Sequence, residues 1–178
     1  DRTINELTTL RVTNTAGDSD VPANALSYQL LNAPANAAID GSGVITFSPV
    51  ENQGPSTNTL TTVVTDNNPA AVNATALSAT NSFVVVVNEV NTAPVLPGQV
   101  DRTINELTTL RVTNTAGDVD IPANALSYQL LNAPANAAID GSGVITFSPV
   151  ENQGPSTNVI RTVVTDNNPA AVNATALD

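Results

Sequence analysis

Residues 37–48 read AAIDGSGVITFS, and the same sequence recurs at residues 137–148. Its centre, Asp40-Gly41-Ser42-Gly43, supplies the glycines that a tight hairpin turn needs at positive φ, and apolar residues lie on both sides. We therefore predict two short antiparallel strands here, near 37–39 and 44–48. Other segments rich in Val and Thr are bounded by turns of Gly, Pro, Asn and Asp, and they predict further strands near 2–5, 8–15, 26–32, 58–66 and 81–89.

The chain consists of two copies of one unit, and residues 1–78 align with 101–178 without a gap. Only six positions differ: Ser19/Val119, Val21/Ile121, Thr59/Val159, Leu60/Ile160, Thr61/Arg161 and Ser78/Asp178. Seven short strands in one unit are typical of an immunoglobulin-like sandwich. The predicted fold is therefore all-β, with two tandem seven-stranded Greek-key sandwiches. We assign repeat 1 to residues 1–92, a Pro-containing linker to 93–100 and repeat 2 to 101–178, which lacks the last strand.

The composition limits the chemistry that the chain can perform. It has no Cys, His, Met or Trp, and its net charge is −11. Without His or Cys, the usual general bases, thiol nucleophiles and soft-metal ligands are missing. A glycosidase needs two carboxylates in a cleft lined with sugar-binding groups. A chain without Trp or His, and with 3% aromatic residues, suggests no such cleft, so we expect no enzyme. The negative charge opposes binding to nucleic acid or anionic membranes, and the longest apolar run, residues 83–87, is too short to cross a bilayer.

The carboxylates are concentrated at the ends of predicted strands. Those at strand ends are Glu6, Asp18, Asp20, Glu51, Asp66 and Glu89 in the first repeat, and Glu106, Asp118, Asp120, Glu151 and Asp166 in the second. Acidic side chains at loop ends are commonly solvated surface charges, and that interpretation stays open for any one of them. Carboxylate and amide oxygens are, however, the ligands that Ca²⁺ prefers.

The order of these motifs resembles that of cadherin repeats. The motifs are Asn5-Glu6, Asp18-Ser19-Asp20 with Asn24 and Tyr28, Pro49-Val50-Glu51, Asp66-Asn67-Asn68-Pro69, and Asn88-Glu89-Val90-Asn91-Thr92-Ala93-Pro94. The resemblance covers the whole first repeat and all that is present of the second. The ENQGP sequence at residues 51–55 is most similar to the cadherin-like modules of large bacterial adhesins.

In that family calcium lies between successive domains, and the resemblance implies ligands in both repeats. The implied interdomain set is Glu6, Glu51, Glu89, Asn91, Asp118, Asp120, Asn124 and Asp166, with half-sites at Asp18, Asp20, Asn24, Asp66, Glu106 and Glu151. Two residues depart from the family pattern, because Pro49 and Thr92 stand where the family has Asp. Both positions serve the outermost of the family's three sites. We therefore expect one or two calcium ions at the joint.

The resemblance implies an extracellular protein of the cell surface. The leading hypothesis is a calcium-rigidified structural repeat that extends the stalk of a giant surface or fibre protein, such as a bacterial adhesin. Its partners would be neighbouring repeats of the same chain. The alternative is a binding module for cell adhesion, which recognises polysaccharide or cell-surface glycans, or identical copies on another cell. Calcium-dependent stiffness without any binding of a glycan or of a second copy would favour the first hypothesis. Retention on immobilised glycan, or self-association, would favour the second.

Overall fold

The computed structural model describes residues 1–21 and 23–178. The chain divides into two compact units, Asp1–Val90 and Asn91–Asp178, and each is treated by itself below. No helix within the described part of the chain has the length and apolar character needed to cross a membrane.

The described residues of the first unit form a sandwich of seven strands. The strands are β1 (Arg2–Asn5), β2 (Leu10–Thr13), β3 (Ser27–Leu31), β4 (Ala37–Ile39), β5 (Val44–Phe47), β6 (Ser56–Thr65) and β7 (Ser78–Asn88). A single 3₁₀ turn, Glu51–Gln53, precedes β6. One sheet has the order β1-β7-β6-β3 and the other has the order β2-β5-β4. The prediction of an all-β fold is confirmed.

Strand β7 lies inside the four-stranded sheet and pairs on both edges. It runs antiparallel to β6 over the full length of β6, from Ser56 opposite Val87 to Thr65 opposite Ser78. On its other edge it runs parallel to β1. Its side chains alternate, as they must in a strand, and the buried members Val85 and Val87 belong to the core. The other buried core residues are Leu10, Ile45, Phe47 and Leu60.

The β4–β5 hairpin forms as the turn sequence predicts. The Oδ1 atom of Asp40 accepts hydrogen bonds from the amides of Ser42 at 2.9 Å and Val44 at 3.0 Å. The equivalent Asp140 accepts the same pair of bonds in the second unit. The amide of Val144, followed by the hydroxyl of Ser142, lowers the pKa of Asp140 below its ordinary value. The ionised Asp140 carboxylate therefore stabilises the folded second unit at pH values above the ordinary carboxyl pKa. This stabilisation is lost as the pH falls through the lowered pKa of Asp140.

The second unit has five strands. They are β8 (Leu110–Thr113), β9 (Ser127–Leu131), β10 (Ala137–Ile139), β11 (Val144–Phe147) and β12 (Arg161–Thr165), with a 3₁₀ turn at Glu151–Gln153. They form a sheet of order β10-β11-β8 and a pair β12-β9. Residue 178 corresponds to residue 78, where β7 begins, so the residues of the second unit include no counterpart of β7.

The second unit also departs from the predicted seven-strand pattern at two places. Residues 102–105 and 156–160 form no strand, although residues 2–5 and 56–60 do. In the first unit these two segments pair with β7, and β1 has no other partner strand. A strand whose ladder partner is missing gains no inter-strand hydrogen bonds, so both segments stay irregular.

We expect Gly43→Ala to destabilise the first unit. Gly43 has a φ of +79°, and a Cβ there would lie 2.6 Å from the carbonyl oxygen of Asn14 and 3.0 Å from the Tyr28 ring. The backbone conformation alone costs about 1 to 2 kcal/mol for a residue with a side chain. Gly41→Ala in the same turn is the control, because a Cβ there meets nothing within 4 Å. Urea unfolding followed by circular dichroism compares the two, and equal losses would contradict the prediction.

Candidate metal centres

The structure brings nine of the predicted ligands together in three groups of three carboxylates. The groups are Glu6, Glu51 and Glu89; Asp18, Asp20 and Asp66; and Asp118, Asp120 and Asp166. Within each group, one oxygen from each residue lies within 4.8 Å of the others. Two ligands on opposite sides of a Ca²⁺ ion are separated by twice the metal–oxygen distance, about 4.6 to 5.2 Å. One ion can therefore be reached by all three members of a group.

The Asp118 group is held by hydrogen bonds between its loops. The amide of Asp120 donates to Oδ1 of Asp118 at 3.0 Å. Oδ2 of Asp120 accepts from the side-chain amides of Asn124 at 2.7 Å and Asn168 at 3.3 Å. Oδ1 of Asp166 accepts from the amide of Leu177 at 2.7 Å. These hydrogen bonds from the protein itself hold the three carboxylates in place.

The segment that begins at Asn91 contacts this group within the second unit. The side-chain amide of Asn91 donates to both oxygens of Asp166 at 3.0 Å, and the amide of Thr92 donates to Asp120 at 3.1 and 3.2 Å. Val95 and Gly117 exchange two backbone hydrogen bonds. Asp120 and Asp166 are consequently buried, with 2% and 3% of their surface exposed.

Asn173 clamps the backbone of Asn91. Its Oδ1 accepts from the amide of Asn91 at 2.8 Å, and its Nδ2 donates to the carbonyl oxygen of Asn91 at 2.9 Å. The two bonds close a ring that fixes Asn91 over the carboxylates. Asn91 was predicted as a ligand, and the structure places it against Asp166.

Two buried oxygens, one in the Asp118 group and one in the adjacent Asn91, accept no hydrogen bond from the described residues. They are Oδ2 of Asp118 and Oδ1 of Asn91. A buried polar atom without a partner costs free energy, and charged oxygens cost the most. Both atoms are hard oxygen donors of the type that Ca²⁺ binds. The donor set of the Asp118 group therefore fits this cation.

The Asp18 group has the same residues but less cover. Oδ2 of Asp20 accepts from Asn24 at 2.8 Å and Asn68 at 2.9 Å, as its counterpart does in the second unit. Asp20 is nevertheless exposed, whereas Asp120 is buried. Asn91 and Thr92 donate hydrogen bonds to Asp166 and Asp120, but among the described residues no equivalent donors contact Asp66 and Asp20. The half-site prediction for Asp18, Asp20, Asn24 and Asp66 agrees with this difference in cover and stays a prediction.

The Glu6 group lies at the opposite ends of the strands of the first unit. Glu6 follows β1, Glu51 opens the 3₁₀ turn and Glu89 follows β7. Oε1 of Glu6 accepts from the amide of Val90 at 2.7 Å, and the amide of Glu6 donates to the carbonyl of Asn88 at 3.1 Å. Glu6 and Glu89 are buried. The end of β7 therefore completes this group.

The predicted half-site ligands Glu106 and Glu151 belong to no group of three among the described residues, and both are exposed. The two departures from the family pattern also have structural roles. Pro49 is fully buried, with its carbonyl accepting from the amide of Leu7 at 2.8 Å, and Thr92 contributes its amide to Asp120.

Sequence reasoning missed two asparagines. Asn168 is buried and donates to Asp120, and Asn173 holds Asn91. The Asp66-Asn67-Asn68-Pro69 motif contained the signal for Asn168, because Asn68 is its counterpart. Nothing in the sequence pattern distinguishes Asn173 from the other asparagines, since its contact depends on the fold of the segment from 166 to 178.

Solved cadherin structures resemble this chain. Human CDH23 EC21-23 has a TM-score of 0.55 and 19% identity, and the match covers 99% of this chain and 57% of that one. The protocadherin gammaB7 EC3-6 cis-dimer structure has a TM-score of 0.50 and 17% identity, covering 98% and 46%. Mouse cadherin-23 EC22-24 has a TM-score of 0.48 and 22% identity, covering 93% and 56%.

The chain thus spans less than two thirds of each of these three structures. Its similarity to the human CDH23 and protocadherin gammaB7 structures shows a cadherin-like fold. No protein-family model and no curated protein matches it. The identities are too low to carry a function with the fold.

We expect Asp120→Ala to destabilise its unit more than Asp20→Ala does, in the absence of divalent cations. Both substitutions remove the acceptor for two asparagines, but only Asp120 also accepts the amide of Thr92. Leaving one further buried donor unsatisfied costs about 1 to 3 kcal/mol. Thermal unfolding of the two variants in a chelator measures the difference. Equal losses of thermal stability in the two variants would show that Asn91 and Thr92 do not stabilise the Asp118 group.

Proposed function

We propose that this chain is a non-catalytic, calcium-stiffened pair of repeats from the stalk of a large extracellular protein, a bacterial surface adhesin or fibre. The single observation that carries the proposal is the Asp118 group. It combines three carboxylates within 4.8 Å with two buried oxygens, Asp118 Oδ2 and Asn91 Oδ1, that accept no hydrogen bond from the described residues. A hard cation would give both oxygens favourable contacts and would also neutralise the carboxylates.

Electrostatics supports the need for a cation. Three carboxylates held within 4.8 Å of one another repel by roughly 1 to 4 kcal/mol per pair at the effective dielectric constants of water and of protein surfaces. The chain as a whole has a net charge of −11, so cation binding also relieves repulsion beyond each group. A divalent ion shared by three carboxylates removes this cost and makes folding dependent on calcium.

The covalent path supports a role in joining repeats. Glu89 belongs to the Glu6 group, and Asn91, two residues later, contacts Asp166 of the Asp118 group. We propose Glu6, Glu51, Glu89, Asn91, Asp118, Asp120, Asn124 and Asp166 as the calcium ligands around this junction, with one or two ions. Ions bound on both sides of so short a segment would restrict its φ and ψ angles and stiffen the connection.

The near-identity of the repeats favours a spacer over a binding module. A binding site or active site needs one copy, whereas a stalk lengthens with every copy. The 3% aromatic content gives glycan recognition few stacking platforms. The protocadherin structure described above is a cis dimer by its name. Association between identical copies is therefore the second candidate, and it predicts self-association at micromolar concentration.

We expect calcium to stabilise the second unit by about 1.4 to 2.7 kcal/mol at 10 to 100 times the dissociation constant. Asp118→Asn should lower the calcium-bound melting temperature but leave it equal or higher in a chelator. The reason is that the substitution keeps an acceptor for the Asp120 amide and removes one repelling charge. Calorimetric titration and thermal unfolding in calcium and in chelator measure both effects.

Asp140→Asn is the control variant, because Asp140 serves the hairpin turn and lies outside the three groups. Its response to calcium should equal that of the unmodified chain. An absence of calcium-dependent heat, or the same loss for Asp118→Asn in calcium and in chelator, would contradict calcium binding at this group.

Stiffening is tested separately from binding. The chain has no cysteine, so Ser42→Cys and Ser142→Cys in the exposed hairpin turns provide two unique labelling positions. The distribution of distances between spin labels at these positions should narrow when calcium is added. A distribution that calcium leaves unchanged, with calorimetric binding intact, would reject the stalk function while retaining the calcium site.

A further inference from the structure

Asn91 has four polar groups, and one loop of the second unit engages three of them. Oδ1 of Asn173 accepts from the amide of Asn91 at 2.8 Å, and Nδ2 of Asn173 donates to its carbonyl oxygen at 2.9 Å. The side-chain nitrogen of Asn91 donates to both oxygens of Asp166 at 3.0 Å. Asp166 and Asn173 both belong to the loop after β12. The fourth group, Oδ1 of Asn91, is buried and accepts no hydrogen bond from the described residues.

The loop after β12 is closed by hydrogen bonds between its two sides. The amide of Asp166 donates to the carbonyl oxygen of Leu177 at 3.1 Å, and the amide of Asn168 donates to that of Thr175 at 2.8 Å. The amide of Leu177 donates in turn to Oδ1 of Asp166 at 2.7 Å. Asn173 lies between these two pairs in the sequence. One closed loop therefore provides both the carboxylate that binds the side chain of Asn91 and the carboxamide that binds its backbone.

These contacts determine which atom of Asn91 can serve a cation. The bonds from Asn173 hold the main chain of Asn91, and the bonds to Asp166 hold its side-chain rotamer. Oδ1 is consequently held in one position as a buried acceptor, which is costly without a partner. An amide oxygen is a ligand that Ca²⁺ accepts. A ligand that is ordered in advance also loses less conformational entropy on binding.

On the basis of the calcium binding proposed above, we propose that Asn173 is a positioning residue for the Asp118 group. Both polar atoms of its side chain are engaged by the backbone of Asn91, so it acts through Asn91 and presents Oδ1 as a ligand. Removing a group that holds a metal ligand in place typically lowers metal affinity about 10- to 100-fold. Asn173 should therefore set the calcium affinity of this group without being a ligand itself.

The first test is Asn173→Ala in the full chain. The backbone amide shifts of Asn91 and Thr92, followed by NMR during calcium titration, should give a dissociation constant about 10- to 100-fold higher than in the unmodified chain. In a chelator, the amide of Asn91 should exchange with solvent faster, because its acceptor is gone. Asn73→Ala, the same change at the equivalent position of the first unit, is the matched control and should alter neither quantity.

Asn91→Ala separates positioning from general support of the fold. If Asn173 acts by presenting Oδ1 of Asn91, then Asn173→Ala should cost no more than about 2-fold in affinity once residue 91 is alanine, which is the margin of simple additivity. A merely structural role would give the same loss in both backgrounds. Circular dichroism in a chelator checks that the variants fold. Asn173→Ser, which keeps a hydroxyl in place of the carboxamide, is the second variant if Asn173→Ala does not fold.

The outcomes distinguish this proposal from the calcium proposal. Equal affinities of Asn173→Ala and the unmodified chain, or equal losses with and without the Asn91 side chain, would overturn the role of Asn173 while calcium binding stands. Calcium titration of the unmodified chain without any shift at Asn91 or Thr92 would reject calcium binding at the Asp118 group, and the role of Asn173 with it.

Discussion

The hydrogen-bond ladder between β6 and β7 determines how much of each repeat becomes a sandwich. In the first unit β7 supplies partners to β6 and to β1, and it contributes Val85 and Val87 to the core. Its removal therefore affects two neighbouring segments and the packing beneath them. The last strand of this fold thus acts as the central connection of its larger sheet, although it lies at the end of the repeat.

The same strand links folding to the acidic groups. Glu89 lies directly after β7, and the amide of Val90 donates to Glu6, so the Glu6 group is complete only when β7 is in place. The Asp118 group depends likewise on Asn91 and Thr92, which follow in the chain. Repulsion among the three carboxylates of each group opposes the close positions in which the strands hold them. Under the proposed function, a bound cation reverses the sign of that contribution and makes the connection between repeats stiffer in calcium than in a chelator.

The fold was largely predictable because turn residues separate most of the strands. Asp40 and Gly43 indicated the β4–β5 hairpin, and the ordered acidic motifs indicated which loops bring carboxylates together. The irregular conformation of residues 102–105 was not predictable from their own sequence, because it depends on a distant partner strand. The role of Asn173 was hidden for the same reason, since its contact with Asn91 joins residues that are far apart in the chain.

The near-identical repeats act as an internal control for these conclusions. Residues 2–5 and 102–105 have the same sequence, so their intrinsic propensities are equal, yet only the first segment is a strand. The difference must come from pairing. The Asp18 and Asp118 groups give a parallel comparison, because the carboxylates are identical, whereas the cover by Asn91 and Thr92 and the neighbouring residues at 19/119 and 21/121 differ. Under the proposed function, the segment that begins at Asn91 would therefore raise the cation affinity of the Asp118 group above that of the Asp18 group.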